Sequence, residues 1–157
     1  MTSQEETICA NLRQSSELAN DEDYERYVAA CRALPVTHEP EVLRVMLGCL
    51  NDNEAGEIQY ELVEACERFP DRVVVEEVSK MSAQLEPRAG EWFWIIFQSI
   101  MNTPSTRQML AELYRIAGGN VVRDLDGIFD RLVVRDSRYG SAVLLIREKR
   151  NQAETGK

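Results

Sequence analysis

The chain has 157 residues, 27 acidic against 18 basic side chains for a formal net charge of −9, and a composition 44 % hydrophobic and 29 % charged. That length can bury a real core, the composition is that of a folded chain, and an acidic protein repels nucleic acid phosphates. No apolar run nears the roughly 18 residues that cross a bilayer, and the acidic opening MTSQEETICANL lacks a secretory pattern. The expectation is therefore a cytoplasmic protein that binds neither nucleic acid nor membrane.

Taken in chain order, residues 3–19 form a first predicted helix. Asp21 caps a second that runs to about Leu34, with Tyr24, Tyr27, Val28 and Cys31 recurring at helical spacing. Glu39 and Pro40 open a third, which turns Val42, Leu43, Val45, Met46, Cys49 and Leu50 inward. The polar turn Asn51-Asp52-Asn53 caps a fourth over about 53–69. Pro70 and Asp71 begin a fifth, weakened locally by the β-branched run Val73-Val74-Val75. Pro87 opens a sixth that ends near Asn102, and Pro104 and Ser105 open a seventh that Gly118-Gly119 terminates.

Two weaker segments follow, at 120–135 and 137–150. Their runs Leu132-Val133-Val134 and Val143-Leu144-Leu145-Ile146 suit a strand as well as a helix, because short apolar runs carry no decisive period. Residues 151–157 read as a polar, disordered tail.

Pro35, Pro70 and Pro104 stand 35 and 34 residues apart, and each closes an amphipathic stretch with an apolar residue four positions earlier: Cys31, Cys66 and Ile100. Proline lacks an N–H and clashes with the preceding turn, so it stops one helix and can start the next. A period in the mid-thirties marks helical-hairpin arrays, which usually present binding surfaces. The fold expected is one all-α domain over 1–150: a HEAT-like array of antiparallel helical hairpins with about eight helices, its C-terminal segments irregular or strand.

Cys9, Cys31, Cys49 and Cys66 form no CxxC pair, and the single His38 completes no zinc pattern with such dispersed thiols, so no metal site is expected. The repeat equivalence of Cys31 and Cys66 with Ile100 reads as small buried hydrophobes. The sixth helix is apolar almost all round, with Phe93, Ile96, Phe97 and Ile100 on one face. Trp92 and Trp94 fall about 200° apart, and core packing is expected of at least one of them.

Charge is unevenly divided. Residues 1–86 hold 19 acidic and 7 basic side chains, net −12, and residues 87–157 hold 8 and 11, net +3. The fourth helix concentrates the acidic character: Glu54, Glu57, Glu61 and Glu64 follow one another at i, i+3, i+7 and i+10, beside the apolar stripe of Ile58, Leu62, Cys66 and Phe69. Like charges at this spacing cost about 0.2–0.5 kcal/mol per pair in an isolated helix, so an Arg from a neighbouring helix or a basic partner should compensate them. Asp52 and Tyr60 extend the patch, and Asp21 and Asp23 add acidic groups at the start of the second helix. A solvated acidic face and an electrostatic plug for a cationic cleft are both compatible with this pattern.

No GxGxxG, P-loop, GxSxG or HExxH is present, the carboxylates single out no acid–base pair, and Asp124, Asp126 and Asp130 do not make a calcium loop. A non-enzymatic protein without cofactors is expected. The segments LNDNEAGEIQYELVEACERFP and GEWFWIIFQSIMNTPSTRQML resemble the HEAT-like all-α immunity proteins of bacterial polymorphic-toxin and contact-dependent inhibition systems, in particular immunity protein family thirty. The resemblance covers roughly half of the chain, from Asn51 to about Leu132. It implies a cytoplasmic protein that binds and neutralises the toxic C-terminal domain of a cognate toxin, often a nuclease. A general HEAT-like scaffold without a toxin partner is the alternative.

Overall fold

A computed structural model describes residues 1–34, 39–52 and 56–155, and the side chains of all of these except 56, 57, 154 and 155. His38, Pro35 and Asn53 therefore lie outside the described residues. The described residues form nine α-helices and no strand: α1 Ser3–Ser15, α2 Asp21–Ala33, α3 Pro40–Cys49, α4 Gly56–Cys66, α5 Asp71–Arg88, α6 Gly90–Asn102, α7 Pro104–Ile116, α8 Gly119–Arg135 and α9 Gly140–Thr155, with one 3-10 turn at Ser137–Tyr139. The all-α expectation holds. Both ambiguous C-terminal runs are helical, and their exposure shows why: Val134 is 88 % exposed beside buried Leu132, and Leu144 and Leu145 face solvent between buried Val143 and Ile146. That is a period of 3.6, not of 2.

Two compact units divide within α6, residues 1–96 and 97–157. In the first, α1 packs on α2 and α3, α2 on α4, and α3 on α4 and α5. Each of these pairings joins helices one or two places apart in the chain, which is the packing of stacked helical hairpins. In the second, α7, α8 and α9 pack on one another, and Phe129 stands between Phe97 at 6.2 Å and Tyr114 at 5.4 Å.

Prolines start three helices: Pro40 and Pro104 at the first helical positions of α3 and α7, and Pro70 as N-cap of α5. There the missing N–H has no helical partner to lose. Cys31, Cys66 and Ile100 are all buried, on α2, α4 and α6. All four cysteines are free and buried. Trp92 and Trp94 are both buried.

Several boundaries differ from expectation: α1 already ends at Ser15, and α4 ends at Cys66. Asn20, not Asp21, caps α2, its side chain accepting the Asp23 N–H at 3.0 Å. Pro87 does not open the sixth helix; it lies within α5, one residue before its end, where it removes a single hydrogen bond and the break follows at Ala89. The helix opened next, α6, starts at Gly90. Gly118 caps α8 rather than ending α7, whose last position is followed by Ala117, and neither glycine takes a positive φ.

Two long-range caps hold the first unit's helix ends. Asp52 Oδ2 accepts the Gly90 N–H at 2.7 Å and its Oδ1 the Glu91 N–H at 3.3 Å, so a carboxylate sits on the positive end of α6. Arg88 donates to the Leu47 carbonyl at 3.2 Å and to the Gly48 carbonyl, on the negative end of α3. Among the described residues no helix is long and apolar enough to cross a membrane.

Candidate functional site

The acidic stretch of α4 owes its exposure to the opposite face of the same helix. Gln59, Leu62, Val63, Ala65 and Cys66 are buried, which turns Tyr60 and Glu64 outward. Of the expected stripe, Leu62, Cys66 and Phe69 are buried, whereas Ile58 is half-buried and the amide of Gln59 takes the interior position beside it.

Tyr60 is 53 % exposed, and its ring meets Trp92 edge-on, with centroids 5.0 Å apart and planes at 86°. An edge-to-face contact with a buried ring fixes a surface tyrosine at little entropic cost. Glu61 is not a free carboxylate. Arg32 of α2 grips it with two bonds, Nη2 to Oε1 at 2.5 Å and Nε to Oε2 at 3.2 Å. The Arg32 guanidinium holds the Glu61 carboxyl below the usual glutamate value, chiefly through the hydrogen bond. This is the compensating arginine that the like-charged stripe calls for, supplied by the neighbouring helix. Glu64 lies within the field of the same arginine and is exposed.

Asp52 caps α6 and keeps a solvent-facing carboxylate. Glu54 lies outside the described residues, as does the side chain of Glu57. Asp21 is exposed, and Asp23 accepts from Asn20 Nδ2 at 3.0 Å while lying 3.7 Å from Arg26. Asp21 precedes Arg32 by roughly 16 Å of helix, and neither aspartate bonds to α4 among the described residues. The structure therefore gathers Tyr60, Glu61 and Glu64 on α4, backs them with Arg32 and Trp92, and sets Asp21 and Asp23 at the far end of α2.

Arg32, Trp92 and Gln59 are the members that local pattern did not reveal. The first two pair with α4 across about thirty residues of sequence, a distance over which periodicity is silent. Among the described residues no group of three or more His, Cys, Asp or Glu is placed to hold a metal ion. Burial raises every thiol above its usual value, Cys31 to about 12 and Cys49 to about 11, so none is poised as a nucleophile.

A family model described as Immunity protein 30 matches residues 14–110, a span running from the end of α1 into α7. No curated protein matches the chain, and no solved structure does.

Proposed function

The chain belongs to the Immunity protein 30 family, and from that premise we propose that it neutralises a nuclease-type toxin by laying its acidic face over a basic active-site cleft. Family membership implies an immunity protein and hence a cognate toxin as partner. The target proposed is the toxin's C-terminal domain, met in the cytoplasm, and the inhibitor itself does no chemistry.

One observation carries the choice of surface: a half-exposed Tyr60 propped on Trp92, with the exposed carboxylate of Glu64 one turn further on. A rigid aromatic flanked by acids suits a cleft built to hold phosphates, since aromatics anchor interfaces and complementary charge speeds and orients association. The proposed contact set takes in Glu61 on the same helix, together with the acidic positions Asp52, Glu54, Glu57, Asp21 and Asp23 singled out in the sequence.

The test is growth of bacteria expressing the toxin-like domain encoded beside this gene, with and without this chain, followed by affinity measurements on the purified pair. Rescue and a one-to-one complex are expected. Tyr60→Ala combined with Glu64→Lys should then weaken binding by at least about tenfold and flatten its salt dependence. Rescue with unchanged affinity and salt dependence would place the interface elsewhere. Binding without rescue would favour a helical scaffold over an immunity protein.

A further inference from the structure

The second unit holds a groove of the opposite electrical character. Side chains of α7 and α9 enclose about 470 Å3 of open space. The small side chains of Ala111 and Ala142 leave this room, and Leu145 lies along it, 55 % exposed although large and apolar. A second hollow of about 240 Å3 adjoins the first through Arg107, Arg138 and Ala142.

Its charges among the described residues are all of one sign. In a chain with 27 acidic residues, no Asp or Glu among the described residues lines either hollow, whereas Arg107, Arg138 and Lys149 do. Asp136 compensates Arg138 at 2.6 Å. Among the described residues the Arg107 guanidinium donates to the Met101 carbonyl alone, at 3.0 Å, and the Lys149 ammonium has no hydrogen-bond or ion-pair partner. Arg107 lies at the Ala142 end of the trough, and Lys149 follows Ala142 by seven residues, roughly 10 Å along the helix.

We propose that this groove docks an acidic amphipathic helix of a partner protein. An apolar side chain of that helix enters over Ala111, Ala142 and Leu145, and two of its carboxylates, about two turns apart, reach Arg107 and Lys149. A free anion would satisfy the cations and leave the apolar floor in water. A concave trough between two packed helices fits a third helix better than it fits a lipid surface. The proposal stands independently of whether α4 faces a toxin.

The experiment is an NMR titration of the full-length, isotope-labelled chain. The probe is a capped peptide of about 14 residues with two leucines on one face and glutamates at the trough spacing, designed to be helical. Its counterpart carries lysines in place of the glutamates, and succinate and phosphatidylglycerol vesicles serve as competing ligands. Expected are shifts confined to α7 and α9, a Kd of about 1 mM or tighter, and binding of the lysine peptide weaker by at least about tenfold.

Arg107→Gln with Lys149→Glu should invert that preference, and Ala142→Trp, which fills the trough and leaves the cations, should abolish both responses. Lys149→Glu alone, on an exposed position, keeps the test decisive if a larger change perturbs folding. Equal binding of both peptides, shifts outside these helices, or succinate matching the peptide would overturn the proposal. So would a response to vesicles alone, or peptide-free shifts of the same amides that grow with protein concentration, which would assign the groove to a second copy of the chain.

Discussion

The Tyr27 hydroxyl donates to Gln59 Oε1 at 3.2 Å, joining α2 to α4 through two side chains with no exposed surface. Gln59 Nε2 has no partner among the described residues. Half of the amide is thus already unpaired in the interior, and the Tyr27 bond is what the other half has.

Removing one side of this pair should cost more than removing both. Tyr27→Phe strands the amide oxygen, and Gln59→Leu strands the hydroxyl, so each single change should destabilise by about 1–3 kcal/mol. The double variant should lose less than the sum, with a coupling of about 0.5–3 kcal/mol in a denaturation cycle. Additive losses would mean that the bond contributes nothing beyond packing.

Asp52 can be tested for its part in folding apart from any part in binding. Asp52→Ala removes both acceptors at the start of α6 and should cost about 1 kcal/mol. Asp52→Asn keeps one acceptor and should recover most of that loss in urea midpoints. Equal losses for the two variants would assign the effect to charge rather than to capping.

The pair between Arg32 and Glu61 lies at the surface, where solvent screens it, so Arg32→Ser should leave the urea midpoint almost unchanged. Its effect should appear in titration. With the folded-state carboxyl held low by Arg32, the pair's contribution is present above the ordinary glutamate value of about 4.3 and is lost as pH falls through the folded value. The side-chain carbon shift of Glu61 should titrate below the ordinary glutamate value in the native chain and move up in Arg32→Ser. An unchanged Glu61 midpoint would remove the pair.

The thiols set the alkaline limit. Folded values raised to about 12 for Cys31 and about 11 for Cys49, with Cys9 and Cys66 also raised, exceed the unfolded value of about 8.5. Stability is therefore fully present below pH about 8.5 and declines as pH rises toward the folded values. The slope is about 1.4 kcal/mol per pH unit for each thiol ionised only in the unfolded chain. A neutral thiol reagent should label none of the four at pH 8 until denaturant is added. Rapid labelling of the native chain would contradict their burial.

Much of the fold was legible because its punctuation is chemical. Pro40, Pro70 and Pro104 carry the same local meaning in any context, and each begins a helix or caps one. Pro87 misled for the same reason: one residue before a helix end its cost is a single bond, which α5 bears. The runs at Leu132 and Val143 were too short to reveal a period, and only the exposure of Val134 and Leu144 separates helix from strand. At the candidate site the acidic stripe was visible in the sequence, and with it the expectation that a neighbouring arginine or a basic partner compensates it. That the arginine is Arg32, and that Asp52 is occupied with Gly90, depend on contacts 29 and 38 residues apart.

The stacking of α1 to α5 bears also on time. Every principal pairing in that unit joins helices no more than two places apart in the chain. Topologies this local fold within microseconds to milliseconds, because little loop entropy is lost before contacts form. Each hairpin of that unit can dock while the ribosome is still extending the next, so the unit is packed almost as soon as it is made. If a member of the Immunity protein 30 family acts as proposed above, the interval between synthesis and binding is then set by translation rather than by the folding of this unit.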